Sequence, residues 1–267
     1  MIKAGICSVS FRKKTVSEIV DLARCAGLEG IEWGGDVHVP HGDIGTARDT
    51  LARCRAAGLD CPSYGSYYRV GVSESRGSSF SEVLATAAAL QARTIRVWAG
   101  TTNLDEAAEG DVERVVADTF RIARMAEKTG MTISFEYHRG TYTNTDANAR
   151  FFAARVVHPA VRFYWQPPHG QDVEACLTGL QALLDRITNV HVFHWRLRED
   201  GAGKPTIENL LLEEGAARWQ RFLDLLTILP GEHWAHLEFT RDENPANTVR
   251  DACALRGMLG KGEVLCT

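Results

Sequence analysis

Eight short apolar segments alternate with helix-patterned stretches along almost the whole of this 267-residue chain, and this alternation limits the folds open to it. The strand candidates are Ile2–Cys7, Gly30–Trp33, Asp60–Tyr64, Thr94–Trp98, Thr132–Tyr137, Val161–Trp165, Val190–His194 and Trp234–Phe239. Between and after them, apolar residues recur at helical spacing over Val16–Ala26, Asp43–Ala57, Phe80–Ala92, Asp111–Lys128, Asn144–Val157, Asp172–Asp185, Ala216–Leu229 and Asn247–Leu259. Gly27, Gly58 and Gly130 follow three of these helices as stops. Such repetition predicts βαβ units and a parallel sheet, and eight units predict closure into a (β/α)8 TIM barrel. The length suits one barrel domain spanning residues 1–267. An open doubly wound sheet is the alternative, but Ser8–Lys13 lacks the glycine-rich phosphate turn of that fold. Irregular loops are expected over Gly65–Ser79 and Arg196–Glu213.

Four segments end in polar side chains: ISFEYH (133–138), FYWQPPH (163–169), NVHVFHW (189–195) and HLEF (236–239). A buried strand has no packing reason for such an ending, whereas the carboxyl ends of barrel strands meet at one face and carry active sites. Alternation puts Ser134, Glu136 and His138 on one face of their segment, His191 with Phe193 and Trp195, and His236 with Glu238. Gln166 precedes Pro167-Pro168, which ends any strand. Glu136, Gln166, His191 and Glu238 can therefore converge as a nitrogen and oxygen set suited to one divalent Mn, Mg, Co or Zn ion. The alternatives for single members are a salt-bridged glutamate or a hydrogen-bonded core histidine. Two carboxylates buried together, however, require a cation or a shared proton.

The segments GIEWGG (30–35), FEYH, YWQPPH, VHVFHW and the terminal LEF resemble the xylose isomerase-like TIM barrel superfamily of sugar isomerases and epimerases, which also contains endonuclease IV and inosose dehydratases. The resemblance spans essentially the whole chain. It implies a single metal held by Glu136, Gln166, His191 and Glu238, with Glu136 and Glu238 as acid and base on opposite faces of a sugar. It also implies that His169 contacts substrate oxygens. The chain departs from the pattern at Gln166, which stands where the family's epimerases carry Asp, and in HRGTYT after Tyr137. The amide keeps an oxygen ligand but removes one negative charge.

Other residues carry weaker expectations. Glu32 either binds a substrate hydroxyl or joins a salt bridge, and Arg96 either holds an anionic substrate group or neutralises Glu32 or Glu136. Trp98, with Trp33 and Trp195, can wall a sugar ring or pack in the core. His138 lies beside the predicted metal ligands, and Arg196, Arg198 and Lys204 can reach a charged substrate. The seven Cys lack CxxC pairing and are expected as reduced thiols without a catalytic partner.

The net charge of −4 gives no general pull toward nucleic acid, and no apolar run is long enough for a membrane helix. The expected protein is a cytoplasmic enzyme, a homodimer or tetramer, acting on a small sugar. Isomerisation or epimerisation through an enediolate leads. A lyase or dehydratase on a keto-sugar, polyol or keto-glycoside is next, and a non-catalytic sugar-binding barrel is kept open by Gln166. An endonuclease would need more inward His and Asp and a basic face.

Overall fold

The structure, a computed structural model, describes residues 1–168, 170–199 and 205–262. Eight parallel strands close into a barrel: β1 (Ile2–Cys7), β2 (Gly30–Gly34), β3 (Ser63–Val70), β4 (Thr94–Ala99), β5 (Thr132–Glu136), β6 (Val161–Trp165), β7 (Ile187–Val192) and β10 (His233–Leu237). Each neighbour in this order pairs with the next, and β10 pairs back onto β1. Two further strands, β8 (His194–Glu199) and β9 (Pro205–Leu210), form an antiparallel hairpin outside the barrel. The helices are α1 (Val16–Cys25), α2 (Ile44–Ala56), α3 (Phe80–Ala89), α4 (Glu109–Glu127), α5 (Asp146–Arg155), α6 (Val173–Ala182), α7 (Ala216–Leu226) and α8 (Pro245–Met258).

Local chemistry sets the helix starts. Thr15 and Glu18 form a capping box on α1, and Asp43, Thr145 and Asp172 each accept a backbone N–H at the first turns of α2, α5 and α6. These side chains satisfy donors that a helix cannot pair internally.

The apolar core is a shell between strands and helices. Outward residues Ile31, Trp33, Ile95, Val97, Ile133, Phe135, Phe163, Trp165, Val190 and Val192 are fully buried there. Phe135 meets Phe152 of α5 edge-on, and Trp165 meets Phe222 and Trp219 of α7 in the same way. The barrel interior is polar instead. Thr94, Ser134 and Thr188 form a hydroxyl chain at 2.8 and 2.9 Å near its amino-terminal end. Above it lie Glu32, Ser63, Arg96, Glu136, Tyr164, His191 and His236, all buried. Barrels usually fill this space with branched aliphatics, so the polar filling marks the interior as functional.

Two expected loops are structured. The third strand runs from Ser63 to Val70 rather than Asp60 to Tyr64; Asp60 contributes only an isolated bridge to Gly30. An irregularity between Gly65 and Tyr68 shifts the pairing with β4 by two residues. The Arg196–Glu213 segment contains most of the β8–β9 hairpin. Its alternation of charged and apolar residues is that of a two-sided exposed ribbon, which hydrophobicity alone does not reveal. The seventh barrel strand also begins earlier than expected, at Ile187.

Gly65 is required where it stands. A Cβ there would lie 2.6 Å from Arg96 Nη2 and 3.1 Å from Glu32 Oε1. Gly65→Ala should therefore destabilise the fold by about 1–3 kcal/mol through overpacking. Exposed Gly257, in α8, has no atom within 4 Å of its built Cβ. Gly257→Ala should stabilise by up to ~1 kcal/mol. Paired thermal unfolding of the two variants checks the opposite signs.

Candidate active site at the carboxyl-terminal end of the barrel

The polar residues meet where β2, β4, β5, β6, β7 and β10 end. Arg96 of β4 is the centre of their charge balance. Its Nε donates to Glu32 Oε1 at 2.9 Å and its Nη1 donates to Glu136 Oε2. All three side chains are almost completely removed from solvent. Trp98, two residues on, gives its indole N–H to the same Glu136 oxygen. Burial raises the proton affinity of Glu136, but Arg96 and His191 together outweigh it and hold the carboxyl at about 2. Glu32, also held by the Ser63 hydroxyl at 2.9 Å, lies well below the usual carboxylate range: burial opposes ionisation, and Arg96 and His191 overcome it.

His191 of β7 is the second centre. Its Nε2 is 3.3 Å from Glu32 Oε1. Its Nδ1 faces three oxygens from three other strand ends: Gln166 Oε1 at 3.3 Å, Glu136 Oε1 at 3.4 Å and Glu238 Oε2 at 3.3 Å. The ring rests against Tyr164, 4.4 Å between centroids, and Tyr164 bonds His236 Nδ1 at 2.6 Å. Trp234 stacks on His236 in turn. Burial holds His236 down at about 3, so it is a neutral spacer.

Gln166 follows β6 and points inward because its amide nitrogen is committed to the Tyr137 carbonyl. Glu238, just beyond β10, differs sharply from Glu136. Its Oε2 is buried without a hydrogen-bond donor. Burial, with the nearby Glu136 and Glu32 charges and against the pull of His191 and Arg96, raises its carboxyl to about 7.

Above this cluster a cavity of about 320 Å3 is lined by His138, Arg139, Gln166, Phe193, Trp195, Ile207, Asn209 and Phe239. Its wall is therefore partly the β8–β9 hairpin. His138 stacks on Trp98 at 4.6 Å between centroids, and Tyr67 meets Trp98 edge-on at 5.1 Å. Tyr67 reaches that place through a left-handed backbone, φ 55°, inside the β3 bulge, and its ring lies 4.7 Å from the Arg96 guanidinium. Phe239 also adopts φ 55°, immediately after Glu238. Non-glycine residues in this region carry strain of about 1–3 kcal/mol, and such residues gather at binding sites. A separate cavity of about 190 Å3, bounded by Leu51, Arg55, Cys61, Glu232 and Trp234 among others, shares no residue with this one.

The sequence-predicted residues thus divide. Glu32, Arg96, Trp98, Glu136, His138, Gln166, His191 and Glu238 come together. Arg96 is committed to two carboxylates rather than offered to a substrate anion. Arg196 is not brought in: it lies exposed on β8 and pairs with Glu208 at 2.6 Å across the hairpin, in company with Arg198. Its place in the chain, close after a barrel strand, suggested reach into the site, but the ribbon carries it outward. His169 and Lys204 lie outside the described residues. Unforeseen members are Tyr67, Ile207, Asn209 and Phe239, together with Cys7 of β1. Cys7 is fully buried, and its thiol sits 3.8 Å from Glu32 Oε1. One donor atom each from Cys7, His191 and Glu238 lie within 4.8 Å of one another. The HRGTYT segment braces the strand end, with the Thr143 hydroxyl donating to the Glu136 carbonyl and Tyr142 N–H to Ala99.

A family model described as xylose isomerase-like TIM barrel matches residues 20–257. The chain belongs to this family. Comparison with curated proteins finds no match. Among solved structures, the family fold recurs in the probable 3-DHS dehydratase AsbF of Bacillus anthracis, with TM-score 0.78 and 19% identity over 96% of this chain and 98% of that one. A xylose isomerase-like TIM barrel protein from Mycobacterium smegmatis in complex with magnesium superposes with TM-score 0.71 and 13% identity, over 96% of each chain. The 3-keto-D-glucoside 4-epimerase YcjR of E. coli gives TM-score 0.67 and 17% identity, over 97% of this chain and all (100%) of that one.

The triad Glu32–Arg96–Glu136 carries a pH signature. Glu136 is held at about 2, below its unfolded value, so its contribution to stability is present above the unfolded carboxylate range and is lost as pH falls toward 2. Arg96→Leu removes the cation and leaves two buried carboxylates, a loss of about 3–5 kcal/mol near neutral pH. The deficit should shrink as pH falls toward 2, because without Arg96 burial makes Glu136 take up its proton at higher pH than the value of about 2 it has in the intact protein. Chemical unfolding of both proteins across this range checks it.

Proposed function

We propose that this chain is a metal-dependent isomerase or epimerase of a sugar or keto-sugar that works by proton abstraction next to a carbonyl. The observation that carries this reading is the arrangement at His191 Nδ1, where Gln166, Glu136 and Glu238 each present an oxygen at 3.3–3.4 Å. One ring nitrogen cannot form good hydrogen bonds to three acceptors. The same spacing is close to the edge, about 3 Å, of a coordination polyhedron with bonds of about 2.1 Å. The unpartnered Glu238 Oε2 is the further sign that a cation fits here. Glu136, Gln166, His191 and Glu238 would hold the ion. When bound, it supplies Lewis-acid polarisation of a carbonyl and an adjacent hydroxyl. Crystallisation of a family member with magnesium agrees with a divalent ion; the donor set also takes Mn, Co or Zn.

The protein's own groups then divide the proton work. Arg96 and Trp98 keep one oxygen of Glu136 occupied and the carboxyl ionised. Glu238 carries no such donor, which leaves it the less encumbered of the two for taking and returning a proton. Removal of a proton from the carbon beside the carbonyl gives an enediolate. Return from the opposite carboxyl inverts the centre; return to the adjacent carbon moves the carbonyl. His138, backed by its stacking on Trp98, gives the cavity a ring face that suits the apolar face of a sugar.

A second reading, a lyase or dehydratase, is favoured by His138, which lines the cavity and can protonate a departing β-substituent. Product mass separates the two, since loss of water or an aglycone excludes simple isomerisation. Incubation with keto-sugars in deuterated water should place deuterium on carbon. Glu136→Gln and Glu238→Gln should each lower that exchange by about 10²–10⁴-fold. Undiminished exchange in both variants would overturn the roles of the two glutamates, and exchange no faster than without protein, from a chain that takes up no divalent metal, would leave only a sugar-binding barrel. The reading covers a chain that forms one barrel domain, acts on a small molecule and assembles as a dimer or tetramer.

A further inference from the structure

We infer that Cys7 is a ligand of the same metal, making the centre a mixed sulfur, nitrogen and oxygen site that selects Zn2+ or Co2+ over Mg2+. The inference rests on the reading that a divalent ion sits at His191.

Cys7 ends β1, on the opposite side of the barrel's strand order from β5 and β6, and is completely buried. A thiol that merely fills a core has apolar neighbours. Cys7 instead has its sulfur 3.8 Å from a Glu32 oxygen, and it shares with His191 and Glu238 a region in which one donor atom from each lies within 4.8 Å of the others. The further sign of a ligand is Glu238 Oε2, a buried carboxylate oxygen in that region that forms no hydrogen bond, although His191 Nδ1 lies 3.3 Å away.

Charge points the same way. Glu32 and Glu136 are both committed to Arg96, and Gln166 brings a neutral oxygen. With Glu238 alone as an uncommitted carboxylate, the ion would be under-compensated in a dry interior. A Cys7 thiolate supplies one further negative charge. Binding is balanced simply: the sulfur gives an electron pair to the ion and its proton leaves to solvent, with no change of oxidation state. Thiolate softness then favours Zn2+ and Co2+ and disfavours Mg2+, which prefers oxygen alone.

The test uses full-length protein stripped with a chelator and reloaded. With Co2+, the protein should show visible ligand-field bands and a near-ultraviolet thiolate-to-cobalt charge-transfer band. Cys7→Ser should keep the visible bands and lose the charge-transfer band, whereas Cys176→Ser should keep both. A variant-free measurement guards against misfolding: zinc-edge X-ray absorption of the wild-type protein should contain one sulfur scatterer at about 2.3 Å. Cobalt bound with visible bands but no charge transfer, or zinc with only nitrogen and oxygen neighbours, overturns the role of Cys7 and leaves the metal reading standing. Failure to bind either ion overturns both.

Discussion

A single guanidinium makes the interior of this barrel possible. Glu32, Glu136 and Glu238 occupy a space from which water is largely excluded, and three carboxylates there would repel one another and resist ionisation. Arg96 divides its donors between two of them and holds their proton affinity down, while burial pushes the third up to about 7. The glycine at position 65 exists to leave room for that guanidinium. The tilt of Tyr67 over it explains why a strained backbone is tolerated in the β3 bulge. The difference between the two glutamates on either side of His191 therefore arises from which of them Arg96 touches.

Much of this was legible in the sequence. Alternating strand and helix patterns specify the barrel because each strand buries its outward face against the following helix, and that face is strongly apolar. Glu136, His191 and Glu238 fall on the inward face by the two-residue period of segments that hold to it. Legibility ended where the period failed. The bulge in β3 inserts two residues between Gly65 and Tyr68, beyond the expected strand end at Tyr64, so Tyr67 falls in what reads as a loop. The hairpin β8–β9 has no buried apolar face of its own, and its strands were therefore read as loop. Arg196 was misjudged for the same reason.

Cys7 illustrates a different limit. Its segment, IKAGIC, reads as an ordinary buried strand, and a terminal cysteine there is unremarkable in one dimension. Only closure of β1 against β10 and β2 brings its sulfur near Glu32, His191 and Glu238. Gln166 is the converse case. Its identity was plainly visible, but the fixing of its amide by the Tyr137 carbonyl, which frees the oxygen to face inward, is a property of the fold.

The β8–β9 hairpin has one more consequence. It leaves the barrel after β7 and returns before α7 without joining the ladder, yet Trp195, Ile207 and Asn209 from it face the cavity. Part of the outer wall of the pocket thus belongs to a piece of chain separate from the strands that carry the buried charges. A change in the length or side chains of that ribbon would reshape the cavity and leave the Glu32–Arg96–Glu136 cluster in an unaltered setting.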